Sequence, residues 1–303
     1  MNWTQADVPN LESRVYIVTG ANSGIGYETA RILCEKNGHV VMACRSTERG
    51  EAALARIKEG YSNASAEVLP LDLSNLESVR AFATAFTQRH DRLDCLINNA
   101  GVMAIPRQTT AQGFEMQFGV NHLGHFALTA RLLPRLTVAS GGRIVNVSSE
   151  VHRFGRIDFD DLMAEQSYGR WSAYTQSKLA NLLFTRRLQR VFIKNSIDLM
   201  AIATHPGYAD TELQGRSNNS FENFVLKKLA NRFMAQSAQM GALPSLRAAV
   251  DRSLSGGEYV GPKGMMGMRG APVVMAPSRA AQNDEAAVRL WTISEELTNE
   301  KIV

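Results

Sequence analysis

Hydrophobic positions along the chain follow two alternating patterns. Short, largely apolar runs rich in β-branched residues recur at Val15–Thr19, His39–Cys44, Ala66–Leu71, Leu93–Asn98, Arg143–Ser148 and Ile197–Ala203. Their length and composition predict strands of the kind buried in the middle of a parallel sheet. Between them, apolar residues spaced three and four apart predict helices running to Glu35 after the first strand, then Thr47–Glu59, Asn75–His90, about 112–136 and about 172–194. Strand and helix in strict alternation predict an α/β protein with a doubly wound parallel sheet, and a short strand near Tyr259 brings the count to about seven, with helices on both faces. No linker, repeat or low-complexity tract breaks the pattern, so residues 1–303 are expected to form a single domain.

The regularity lapses after Ala203. Pro206, Gly207, a polar turn at Ser217–Ser220 and an amphipathic piece at Phe221–Phe233 precede a further helix, Ala238–Val250. Irregular segments beside the carboxyl ends of parallel strands commonly close over substrate, and 205–235 is expected to be such a lid. Lys263–Ser278, with Met265, Met266, Met268 and Met275 among glycines and prolines, reads as a loop whose methionines either line an adaptable pocket or fill gaps in the core. A final helix, Asp284–Leu297, puts Ala287, Leu290, Trp291 and Leu297 on one face and is read as structural.

Composition narrows the class. With 45% hydrophobic and 20% charged residues the chain is an ordinary soluble globular protein. Its net charge is +4 with the basic residues scattered, which argues against a nucleic-acid partner while suiting a phosphate-bearing ligand. No apolar run reaches the roughly 18 residues of a membrane span, and the N-terminus lacks a signal-peptide core, so no membrane anchor and a cytoplasmic location are expected. Cys34, Cys44 and Cys95 lie in apolar segments without metal or disulfide spacing and are expected to be buried thiols.

Candidate chemistry begins where the first strand empties into the first helix, at T-G-A-N-S-G-I-G, residues 19–26. A helix N-terminus aims unpaired amide hydrogens and partial positive charge at one point, where a phosphate fits. Gly20 permits the sharp exit, Gly24 the approach of a pyrophosphate and Gly26 close packing of the helix, in the manner of a Rossmann dinucleotide fold, although the spacing is G-x-x-x-G-x-G. The second strand ends in Ala43-Cys44-Arg45-Ser46, without the carboxylate that holds the 2′-hydroxyl of NAD; Arg45 suits a 2′-phosphate, so NADP(H) is preferred over NAD(H). Asp72, in L-D-L at 71–73, is placed to accept from the adenine amino group. Tyr174 and Lys178 stand four apart on one helix face, where an ammonium near the phenol is expected to lower the tyrosine pKa from about 10 toward working pH. His122, His125 and His205 fit no metal motif and are read as packing or surface residues; no metal is expected.

The glycine turn, L-D-L at 71–73, N-N-A-G at 98–101, Asn121-His122, G-R-I-V-N-V-S-S at 142–149, Y-T-Q-S-K at 174–178 and H-P-G at 205–207 occur in this order and together resemble the short-chain dehydrogenase/reductase family over almost the whole chain. The resemblance implies a catalytic set of Asn121, Ser149, Tyr174 and Lys178: Tyr174 as proton donor or base, Lys178 lowering its pKa and holding the nicotinamide ribose, Ser149 rather than Ser148 on the reacting oxygen, and Asn121 propping open a helix and linking Lys178 to a water relay. It implies coenzyme contacts from Gly20, Asn22, Ser23, Gly24, Ile25, Gly26, Arg45, Asp72, Leu73, Asn98, Ala100, Gly101, Tyr174, Lys178, Pro206, Gly207 and Thr211, with Asn98 to Gly101 flanking the adenosine side.

Ser149 and Tyr174 stand 25 residues apart, more than in many members, the excess being roughly Val151–Arg170. That spacing, A-C-R-S at 43–46 and H-R-F-G-R-I-D-F-D-D-L at 152–162 look most like the retinol dehydrogenase-like and protochlorophyllide reductase-like branches. Members of the former often carry an N-terminal anchor, which this chain is read as lacking. The extra segment precedes a helix through which members commonly pair, so a monomer or homodimer is expected rather than a tetramer. Phe154, Tyr168, Trp171, Tyr208, Phe221 and Phe224 are expected to line a roomy apolar pocket or to be core. The activity implied is interconversion of a small-molecule carbonyl and its alcohol on a bulky, mainly apolar substrate. The alternatives are an NADP-binding regulator without turnover, which tends to lose the tyrosine or lysine, and an epimerase or dehydratase, which would need a larger C-terminal domain.

Overall fold

The computed structural model describes residues 2–207, 237–264 and 267–302. Eight strands form one sheet: β1 Val15–Thr19, β2 His39–Cys44, β3 Ala66–Pro70, β4 Cys95–Asn98, β5 Gly142–Val147, β6 Leu199–Thr204, β7 Tyr259–Pro262 and β8 Pro272–Met275. Their order across the sheet is β3-β2-β1-β4-β5-β6-β7-β8. All neighbours are parallel except β7 and β8, which pair antiparallel. The chain leaves β1 toward β2 on one side and later resumes at β4 on the other, which opens a crevice beyond the carboxyl ends of β1 and β4.

The strand period of two sorts side chains onto opposite faces. From β1 and β2, Ile17, Val41 and Ala43 enter one core, and Tyr16, Val18, Val40, Met42 and Cys44 enter the other. The first core is closed by helices α3 Leu76–Thr87, α4 Gly124–Leu136 and α5 Arg170–Lys194; the second by α1 Gly24–Glu35, α2 Thr47–Gly60 and α6 Ala238–Val250. Fully buried side chains such as Phe82, Phe126 and Phe192 each contribute about 1.5–3 kcal/mol of hydrophobic stabilisation. The C-terminal helix α7, Asp284–Thr298, lays Ala287, Leu290 and Trp291 against the α5 side, with Leu297 packed at its edge. Cys34, Cys44 and Cys95 are buried free thiols.

Two expectations are corrected. Residues 263–278 are not wholly a loop: β8 extends the sheet by one strand, pairing Val260 with Val274 and Gly261 with Val273. Pro272 is tolerated because it opens an edge strand, where a missing amide hydrogen costs no ladder bond. The helix expected from about 112 begins at Met116, because Gly113 turns the chain at φ +84° and Glu115 accepts from the amides of Gln117 and Phe118. A π-helical turn, Gly119–Leu123, then precedes α4. The expected lid falls almost entirely on residues 208–236, outside those described. No helix among the described residues is long and apolar enough to cross a membrane.

Candidate active site

The crevice is held open by polar contacts between strand ends. Thr19 Oγ1 accepts from the amides of Asn99 and Ala100, both at 2.9 Å, and the Asn99 side chain donates back to Thr19 O at 2.8 Å. Gly20 and Gly24 adopt φ +68° and +56°, a left-handed conformation that carries the chain from β1 into α1. A Cβ on Gly26 would stand 2.4 Å from Gly20 O and 2.6 Å from Asn99 Nδ2, so the close approach that requires this glycine is to the turn itself rather than to the sheet. The Ser23 side chain makes no capping bond, which leaves the first-turn amides of α1 open toward the crevice.

A cavity of about 320 Å³ runs along this end of the sheet, as bounded by the described residues. Gly20, Asn22, Ser23, Gly24, Ile25, Gly26, Arg45, Asp72, Leu73, Ala100, Gly101, Tyr174, Lys178 and Pro206 all line it. The structure therefore gathers into one concavity residues that the sequence spreads over nearly two hundred positions. Asp72 has one carboxylate oxygen engaged by the amide and hydroxyl of Ser74. Asn98 does not line the cavity: its side chain donates to Asn146 at 2.8 Å and Thr129 at 3.2 Å inside the sheet. The adjacent Asn99, just beyond the end of β4, lines it instead. Thr211 lies outside the described residues.

At the inner end, β5 delivers two serines and α5 delivers Tyr174 and Lys178. Ser148 donates its hydroxyl to Lys178 O at 2.7 Å. The Ser149 side chain lies beside the Tyr174 phenol, where it favours the ionised form, and its oxygen accepts from Val151 N at 3.5 Å; of the two serines it is Ser148 that lines the cavity. Lys178 Nζ donates to Val147 O at 3.1 Å and sits 5.8 Å from the Tyr174 ring centroid. Burial pushes the Tyr174 phenol up to about 12, against the lowering effect of the neighbouring Ser149 side chain, and pushes the Lys178 ammonium down to about 8. The expected lowering of the tyrosine pKa by its lysine is thus reversed in the protein alone: both groups are desolvated, and the ammonium is engaged with a carbonyl rather than with the phenol.

Asn121 occupies the π-helical turn before α4. It is fully buried; its side chain accepts from Val102 N at 2.8 Å and donates to Val102 O and Ser177 Oγ, both at 2.9 Å. Ser177 in turn donates to Tyr174 O at 2.8 Å, so Asn121 is tied to the helical turn that carries the tyrosine. Among the described residues no hydrogen bond joins Asn121 to Lys178, although a Cβ on Gly101 would stand 2.9 Å from Asn121 Oδ1 and 3.5 Å from Lys178 Nζ. His125 bridges the same parts, with Nε2 3.0 Å from Thr19 Oγ1 and Nδ1 3.1 Å from Asn121 O. Burial holds its pKa down at about 4, so it is neutral, and donation from Nδ1 to Asn121 leaves Nε2 to accept from Thr19.

His205 is also interior. It stacks on Tyr259 at 5.2 Å, and its Nδ1 accepts from the Gly207 amide at 3.2 Å, which fixes the Pro206-Gly207 turn; Pro206 lines the cavity and Gly207 does not. Met275 packs its sulfur 3.4 Å from His205 Nε2, so this methionine fills the core and does not line the cavity.

The aromatic pocket is corrected in part. Phe154 is 84% and Trp171 57% exposed, and the Tyr168 hydroxyl donates to Ile105 O. Tyr208, Phe221 and Phe224 lie outside the described residues. The apolar wall comes instead from Val102, Met103 and Ile105, in a segment with no helix or strand periodicity to advertise it, and from Met116 and Val120 at the start of the helical run that follows. Arg49 joins Arg45 at the opposite end. Its signal was present, since it falls in the first turn of α2, one turn beyond the end of β2.

Residues 14–221 match the short chain dehydrogenase family. The chain is 42% identical over 287 residues to human retinol dehydrogenase 12, covering 95% of this chain and 87% of that protein. It is likewise 42% identical to mouse retinol dehydrogenase 13, over 95% of this chain and 84% of that protein. An uncharacterized protein from Mycobacterium paratuberculosis superposes with a TM-score of 0.83 at 42% identity, with both chains fully covered. The NADP complex of Pseudomonas aeruginosa RhlG shares the fold at a TM-score of 0.66 and 22% identity, over 82% of this chain and 94% of that one. The chain belongs to the short-chain dehydrogenase/reductase family, in its retinol dehydrogenase-like branch. Its fold and its relatives are those of dehydrogenases.

Proposed function

We propose that the protein is an NADP(H)-dependent oxidoreductase that interconverts a primary or secondary alcohol and its carbonyl compound on a bulky, mainly apolar substrate. The observation that carries the reading is the convergence of Tyr174 and Lys178 on one end of the cavity, with the Ser149 side chain beside the phenol. The residues present fit a dinucleotide: the open first turn of α1 and the close-packed Gly26 suit a diphosphate, and Arg45 with Arg49 suits a 2′-phosphate. When bound, the nicotinamide supplies or accepts the hydride.

In the direction of reduction, Tyr174 gives its proton to the carbonyl oxygen while Ser149 donates a hydrogen bond to that oxygen as charge develops on it. In the direction of oxidation, the phenolate removes the alcohol proton. Lys178, charged at neutral pH with its value near 8 and 5.8 Å from the Tyr174 ring centroid, is the cation placed to favour the phenolate. Asn121 acts at one remove, by holding Val102 and the Ser177 turn below Tyr174.

Val102, Met103, Ile105, Met116 and Val120 make one wall of the cavity apolar, which suits a hydrocarbon-rich substrate. Relatives named as retinol dehydrogenases support a retinoid-like alcohol or aldehyde. The test is NADPH consumption against a panel of retinal, long-chain aldehydes and aromatic ketones. Tyr174→Phe is expected to abolish turnover while NADPH binding persists; turnover within tenfold of the unaltered protein would remove Tyr174 from the mechanism.

A further inference from the structure

The amino-terminal end of the sheet, opposite the cavity, carries a second group of reactive side chains. His39 opens β2, Glu67 is the second residue of β3, and His90 follows the end of α3. Their spacing in sequence matches no metal motif, and only the pairing of β2 with β3 and the return of α3 toward the same edge bring them together. Potential ligand atoms from all three lie within 4.8 Å of one another. His90 Nε2 is 2.7 Å from Glu67 Oε1, and His39 Nε2 is 3.7 Å from the same oxygen.

We infer that His39 Nε2, His90 Nε2 and Glu67 Oε1 form a binding site for a divalent transition metal, with Zn²⁺ the best fit. Three features of the surroundings support it. His39 Nδ1 lies 2.7 Å from Ser65 Oγ; when it donates there, Nε2 keeps a lone pair directed at the cluster, and that buried nitrogen makes no hydrogen bond. A ligating histidine is usually held in this way through its other nitrogen. Arg89 takes Glu67 Oε2 at 2.6 Å, which orients the carboxylate and leaves Oε1 facing the imidazoles. His90 is steadied from behind by stacking on Phe86 at 4.8 Å.

Zinc bonds to nitrogen and oxygen of about 2.1 Å in tetrahedral geometry place ligand atoms about 3.4 Å apart. The 3.7 Å contact already matches this, and the 2.7 Å contact need open only by a fraction of an ångström. Two imidazoles and one carboxylate favour zinc and its neighbours over magnesium or calcium, which prefer oxygen ligands. A bound ion would join β2, β3 and the end of α3 without touching the coenzyme cavity. The length of β2 separates the two sites by roughly 20 Å, so the inference is independent of the proposed function.

The histidine inventory makes the test sharp. The chain has six histidines, and the other four, His122, His125, His152 and His205, are at most 2% exposed. Untagged full-length protein, stripped with EDTA, would be titrated with ZnCl₂ by calorimetry. Binding of one ion per chain with micromolar affinity is expected, with MgCl₂ producing no saturable heat. His39→Ala, His90→Gln and Glu67→Gln should each weaken zinc binding at least about tenfold. Each variant's thermal transition in EDTA reports whether it is folded, and any one that folds carries the test. Absence of saturable zinc binding in the unaltered protein, or unchanged affinity in a folded variant, would overturn the assignment.

Discussion

The hydroxyl of Ser148 donates to the main-chain oxygen of Lys178 at 2.7 Å, and this single bond separates the duties of two adjacent serines. Ser148 fastens the end of β5 to α5 and also lines the cavity, whereas Ser149, one residue further on, lies beside the Tyr174 phenol. Ser149→Ala should lower kcat about 10²- to 10³-fold with little change in Tm, as expected for loss of a donor to a developing oxyanion. Ser148→Ala should cost about 1 kcal/mol of stability and retain most of the turnover. Urea unfolding of both variants beside steady-state rates checks the division; equal losses of activity would erase it.

Lys178 carries a stability cost with a definite pH window. Its folded value of about 8 lies below the unfolded 10.5, so between these pH values the unfolded chain binds more protons and stability rises with pH. Below pH 8 the full cost of the buried ammonium is present, on the order of 3 kcal/mol. Lys178→Met should therefore be inactive yet at least as stable as the parent protein at pH 7. The stability gap between the two should close from pH 8 toward pH 10. A variant markedly less stable at pH 7 would contradict the burial argument.

Arg45 and Arg49 flank the same end of the cavity and bear on coenzyme choice. Replacing both with alanine should raise KM for NADPH about 10- to 100-fold, the value of lost charge-assisted bonds to phosphate. KM for NADH should stay within a factor of about three if no contact to a 2′-hydroxyl is lost. Parallel loss with both coenzymes would indicate that the arginines serve the fold or the diphosphate instead.

Acid should unfold the protein partly through histidines that are buried neutral. His122 sits among Phe118, Phe126 and Phe184 with Nε2 2.9 Å from Ser294 Oγ, and burial holds its pKa down at about 3; His125 and His205 are held at about 4. Each has a folded value below the unfolded 6.5, so the unfolded chain takes up more protons as pH falls through 6.5 and stability is lost toward pH 4. His122→Phe should reduce the slope of unfolding free energy against pH in that window by about one proton. Denaturant titrations at pH 6.5, 5.5 and 4.5 measure it, and an unchanged slope would mean that His122 is not neutral in the folded state.

Much of this protein was legible along the chain. The six β-branched runs became β1 to β6, since a strand buried on both faces must be apolar at consecutive positions, and the glycine turn was legible because helix termini and backbone approach obey local rules. The errors have local causes as well. Proline and glycine content disguised β8, and the side-chain cap at Glu115 delayed the helix expected from 112.

Sequence order alone determined the fold class and the set of residues that reach the carboxyl ends of the strands, because periodicity and turn chemistry are encoded over a few neighbours. Only tertiary structure decided what those residues meet. Packing against α5 joined Ser148 to a carbonyl and set Ser149 beside a phenol, the turn after β4 put Asn99 rather than Asn98 in the cavity wall, and desolvation reversed the expected direction of the Tyr174 pKa. Burial and long-range contact are properties of the assembled chain, and no window of neighbouring residues contains them.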